Sequence, residues 1–263
     1  MRSSPLVTSP LGLSRFSAER MRLREAGLGP ERRMSYKTLN DKVRMRSLPA
    51  YLGAADRIVG VLINFAMDKR AAHRFSESYN SETAFGTLGP WAAKPFEKLS
   101  RVGHFGAMIV EGVRADGQNL LWITDQDEIA PNILKHAEAT RVIGHLLNHY
   151  CTGDMGHFLF GTTASDTGDL LTEDLAAVPD LAAGGLNEVL ARVGLDPDLE
   201  VPERLIAAVG NSVPLKIRYI ASWLSDSSNA LAKVNIAIDE SHGGCWIRRI
   251  TVQSIPSGIW VPG

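Results

Sequence analysis

The chain has 263 residues, 44% of them hydrophobic and 22% charged, which excludes a disordered or fibrous protein and leaves room for one large or two small cores. The net charge of −1 excludes general attraction to nucleic acid or anionic membrane, but it conceals an asymmetry. Residues 1–50 carry eleven Lys and Arg against four Asp and Glu, about +7, and the remainder is about −8. Two cysteines, Cys151 and Cys245, are too few for a zinc cluster or a disulfide framework and suit reduced thiols in a cytoplasmic protein. No run approaches a membrane span, and the N-terminus has no apolar signal region.

In chain order, residues 1–33 read as a basic, flexible leader, with Pro5, Pro10, Gly12, Gly27, Gly29 and Pro30 around an Arg-rich stretch. Arg20, Arg22, Arg24, Arg32 and Arg33 are there to steer a polynucleotide or simply to meet water. Leu39, Val43, Leu48, Tyr51 and Leu52 predict a helix that Pro49 interrupts or kinks. "IVGVLINFAM" (58–67) is a nearly continuous apolar run, the pattern of a strand covered on both faces. Residues 69–90 read as a surface loop or frayed helix, and 91–112 as an amphipathic helix.

"LLWIT" predicts a second buried strand, and Ile133, Ala137, Val142, Leu146 and Tyr150 the inner side of a following helix. "HFLFGTT" gives a third strand. "TEDLAAVPDLAAGGLNEVLARVG" predicts a helix with acids in its first turn and a break at Pro179. A further helix and a hairpin, "KVNIAID" and "CWIRRITVQ", close the chain. Alternating helices and strands with long connections predict an α/β fold on a largely parallel or mixed sheet: a core over 34–194, with 195–263 packed on it.

The candidate chemistry lies in "WITDQDEIAPN". Ligands in a parallel α/β sheet sit beyond the carboxyl ends of strands, where Asp125 falls, with Asp127 and Glu128 just after it. Carboxylates in that place can hold Mg²⁺ or Mn²⁺ for phosphodiester cleavage, or cap the next helix and face water. His145 and His149 are four apart on a predicted helix, but no Glu follows His145, so they read as core or surface histidines. "AAGGL" reads as a close helix contact rather than a phosphate cradle.

The segments "SYKTLNDKVRMRSLPAYLGAAD", "WITDQDEIAPN" and "EDLAAVPDLAAGGL" together resemble a bacterial family with an RNase H-like fold that is grouped as a domain of unknown function. The resemblance covers residues 34–193 and implies a metal-dependent nuclease. It implies Asp125 and Asp180 as catalytic metal ligands, with Lys37 in a Lys-containing segment whose acidic partner is missing here. Asp127 and Glu128 would give support. The family's opening Asp-Glu-Ser-Gly strand is absent from residues 1–33. Three expectations follow: a catalytically inactive relative that binds or assembles, an acid supplied by a protein partner or a second copy, or Asp239 and Glu240 of the hairpin filling the gap. The implied substrate is nucleic acid.

Overall fold

In the computed structural model, polar side chains start the helices where they cap the first free N–H groups. The residues described are 2–3, 6–67, 88–125, 129–165, 168, 170–193, 213–226, 228–241 and 244–253. Asp41 accepts from the N–H groups of Val43 and Arg44 and opens α2 (Lys42–Ala55), and Asn132 accepts from Lys135 N and opens α4 (Ile133–Tyr150). The other helices are α1 (Ser14–Leu23), α3 (Ala93–Val113), α5 (Leu171–Val193) and α6 (Leu215–Ser225). The strands are β1 (Arg2–Ser3), β2 (Leu6–Thr8), β3 (Gly60–Met67), β4 (Leu120–Thr124), β5 (Phe158–Thr162), β6 (Leu231–Ser241) and β7 (Gly244–Gln253).

The chain is mixed α/β, and its described strands form two sheets rather than the single largely parallel or mixed one expected. In one, β1 and β2 lie antiparallel to β3, with Leu6 opposite Leu62, and β6 and then β7 follow on from β3. In the other, β4 and β5 pair in parallel, Leu120 opposite Phe158, as the α4 crossover between them requires. The chain divides into two compact units. The first holds residues 1–66, 168–238 and 247–261, and the second holds 67–167, 239–246 and 262–263. This partition cuts across the expected 34–194 core.

In the first unit, the expected flexible leader is instead part of the core. Phe16 and Leu28 are buried, and the Phe16 ring meets Tyr51 edge-on, centroids 6.4 Å apart. The reason is electrostatic. Asp174, from the first turn of α5, accepts from Arg24 Nε and Nη2 at 3.0 and 2.6 Å and from Arg20 Nη1 at 3.1 Å, with all three side chains buried. The Tyr51 hydroxyl donates to the Asp174 carbonyl. Arg24 Nη1 donates to the carbonyls of Gly29 and Pro30, on a wide turn where Gly27 and Gly29 take positive φ. Of the segment's arginines, Arg20 and Arg24 are buried, while exposed Arg22 and Arg32 pair with Glu19 and Asp41.

Pro49 and Pro179 lie inside α2 and α5, which continue through them. Burial of Leu48, Tyr51, Leu52, Ala177, Val178 and Leu181 around these prolines outweighs the local cost. The "AAGGL" glycines are close contacts. A Cβ on Gly184 would fall 2.1 Å from the Tyr36 ring, and one on Gly185 2.3 Å from Ile220.

In the second unit, α3 and α4 cover one face of the β4–β5 pair, burying Phe96, Leu99, Ala107, Val142, Ile143, Leu146 and Leu147. Ile133 and Ala137, expected on the inner side of α4, are exposed, because the helix turns Ala139, Val142 and Ile143 inward instead. Gly106 lets α3 approach Trp122 so closely that a Cβ there would overlap the indole. No helix among the described residues is long and apolar enough to cross a membrane.

Replacing Asp174 by Ala would remove the two-pronged contact of the buried Arg24 guanidinium and one contact of the buried Arg20 guanidinium. We expect urea denaturation to show a loss of about 3–5 kcal/mol, whereas Glu19→Ala, which breaks the exposed pair to Arg22, should cost under about 1 kcal/mol.

Candidate functional site

The two acids expected to share a metal fall in different units, Asp125 in the second and Asp180 in the first. Each has a local role. Asp125 immediately follows β4 and is exposed, and its Oδ1 accepts from the Thr163 hydroxyl at 2.9 Å, tying the ends of β4 and β5 together. Asp180, part-buried on α5, accepts from the backbone N–H of Tyr36 at 2.8 Å through Oδ2. Tyr36 then lies along α5 against Gly184, and Lys216 Nζ, paired with Glu188, sits 4.4 Å above its ring. The "SYK" segment and the late-helix aspartate are thus brought together, though by a backbone bond. Lys37 is exposed on the same short turn.

Asp127 and Glu128 lie outside the described residues. Asp239 and Glu240 belong to β6, near its end at Ser241, and their side chains also lie outside the description. A hard divalent cation needs several oxygens. Among the described residues, Asp125 accepts from the Thr163 hydroxyl, and no group of three or more His, Cys, Asp or Glu comes together. His145 and His149 are both exposed on α4.

The face of β4–β5 away from the helices is the more unusual surface. Alternation along the strands sends Leu120, Trp122, Phe158 and Phe160 toward the helical side and Leu121, Ile123 and Leu159 the other way. Those three are 61%, 37% and 65% exposed. "LLWIT", expected as a buried strand, is therefore covered on one side by the described residues. Parallel strands are ordinarily covered on both faces. Polar groups bound the apolar strip: Asn119 and exposed His157 at one end, joined by the His157 N–H to Asn119 Oδ1 bond, and Asp125 with Thr163 at the other.

Two buried polar clusters went unseen in the sequence. In the first unit, Asp56 Oδ1 accepts from Trp223 Nε1 at 2.7 Å and from the fully buried Lys233 Nζ at 3.0 Å, while Asn64 and Asn235 are hydrogen-bonded between β3 and β6. In the second, Glu97 pairs with Arg101 along α3, and His104 Nδ1 meets the Tyr150 hydroxyl at 2.9 Å. Burial, and then His149, hold the His104 imidazole below its usual range. The lysine two residues before an asparagine on β6 was the signal available for the first cluster, since Lys233 and Asn235 share a strand face. Comparison with family models, curated proteins and solved structures gives no match.

Burial raises the Asp56 carboxyl above its usual range, and the nearby Lys233 opposes this. Because the folded value lies above the unfolded one, the stability this group supplies is present in full below the ordinary carboxylate range. It is lost as pH rises through the raised value. Removing the opposing cation in Lys233→Met should carry that loss to higher pH, and Asp56→Asn should abolish it, as read by denaturation midpoints from acid to neutral pH.

Proposed function

We propose that this chain is a non-catalytic binding or assembly subunit whose working surface is the open face of β4–β5. The observation that carries this reading is the exposure of Leu121, Ile123 and Leu159 on a parallel strand pair, an arrangement that ordinarily has a second layer. The strip has the interface pattern of an apolar centre with a polar edge. Both acids that would carry hydrolysis have local structural bonds that account for them.

A metal-dependent nuclease is the second reading. The position of Asp125 beyond the carboxyl end of β4 favours it, since that is where α/β sheets bind ligands. In that reading Asp125 and Asp180 hold Mg²⁺ or Mn²⁺, with Asp127 or Glu128 assisting. The metal would supply an activated water and charge stabilisation at the phosphodiester.

Single- and double-stranded DNA and RNA, incubated with the full chain with and without Mg²⁺ or Mn²⁺, separate the two. The binding reading expects no metal-dependent cleavage and no difference between wild type and Asp125→Asn. Cleavage that needs the metal and disappears in Asp125→Asn overturns it.

A further inference from the structure

We propose that the occupant of the open β4–β5 face is the same face of a second copy of this chain, in a two-fold arrangement with the strands of the two copies antiparallel. The inference deepens the binding reading and rests on it. It starts from what the strip carries. Its centre is Leu121, Ile123 and Leu159 with Gly161 beside Ile123, so an identical strip laid over it meets no charge in the middle. Closed two-fold contacts need this self-complementarity, because each patch must serve as its own partner.

The charged ends fix the direction. His157 and Asp125 stand at opposite ends of the strip, about 20 Å apart at the rise of an extended strand. If the two copies ran parallel, the two Asp125 carboxylates would face each other across the interface, an unfavourable like-charge contact. Antiparallel copies keep the carboxylates at opposite ends and bring each to the end where the other copy's Asn119 and, one strand over, His157 stand. An imidazole offers a ring N–H donor in either protonation state, so the contact is a hydrogen bond to a carboxylate whether or not His157 is charged. Two sheets packed face to face at about 10 Å would then give each parallel pair its missing second layer.

Sedimentation velocity on the full chain over a concentration series tests this, with Leu121→Asp, Leu159→Asp, His157→Asp, Asp125→Lys and the double variant His157→Asp/Asp125→Lys. Wild type should form a dimer. Each leucine variant should raise its dissociation constant roughly thirtyfold or more, the factor for a central interface side chain. Because both leucines are exposed, the variants should melt as wild type does at concentrations where wild type is dissociated, and below it only where wild type is dimeric. Each charge variant alone should weaken the dimer, and the double variant should restore it.

A wild type that is monomeric throughout overturns the proposal. If Leu121→Asp then lowers the melting temperature of that monomer, the chain covers its own face; if the face instead retains a different protein, the binding reading stands without the second copy. A dimer indifferent to both leucine variants also overturns the proposal. A double variant that fails to restore the dimer overturns the antiparallel arrangement. Metal-dependent cleavage in the nuclease assay would remove the binding reading while leaving a dimer measured here intact.

Discussion

The first unit depends on one carboxylate. Asp174 is buried at the start of α5, and through it α1, the turn after α1, α2 and α5 are held in one register. Arg20 and Arg24 both pair with this one carboxylate, and burying such charges is costly. The geometry offsets much of that cost. Arg24 makes a two-pronged contact with Asp174 and directs its remaining nitrogen to main-chain carbonyls, so its hydrogen-bonding capacity is used. Well-packed apolar residues would stabilise the same space as well. What the ionic cluster adds is selectivity, because a shifted α1 would strand a charge rather than lose a contact.

That cluster also explains why the N-terminal stretch could not be read correctly from local pattern. Its arginines, prolines and glycines have the composition of a solvated leader, and the acid that recruits them lies about 150 residues later. Pairings at such separation leave no trace in periodicity. Features whose cause is local were legible: the apolar spacing of Val43, Leu48, Tyr51 and Leu52 marks α2, the crossover helix makes β4 and β5 parallel, and β6 and β7 follow from two apolar runs around a turn. Pro49 and Pro179 were misleading for the opposite reason, since local propensity gave way there to the burial of their neighbours.

The candidate site was legible to the same extent. The position of Asp125 at a strand end follows from an apolar run that stops in acids. Whether that run is buried on both faces depends on what lies above it, which four apolar residues and a threonine do not encode. β3 and β4 look alike in sequence, yet β3 is almost wholly buried and β4 alternates between covered and exposed. The link between "SYK" and Asp180 was not expected, since the resemblance implied Asp180 as a metal ligand beside Asp125. Its physical form, a carboxylate accepting a backbone N–H, makes the pairing intelligible without catalysis.

Asp125 is the residue on which the two functional readings converge, and its setting explains why they make opposite demands on it. As a metal ligand it needs further oxygens to converge on its carboxylate, and its value lies in water and substrate reaching it. At the edge of an apolar docking strip, it needs a hydrogen-bond donor arriving with a partner, and its value lies in steering the partner's orientation. The Thr163 bond serves the second demand, because it holds the carboxylate at the strand end. A carboxylate held this way marks one end of an otherwise uncharged surface. Direction is the property that an apolar strip lacks when it must choose between two ways of pairing.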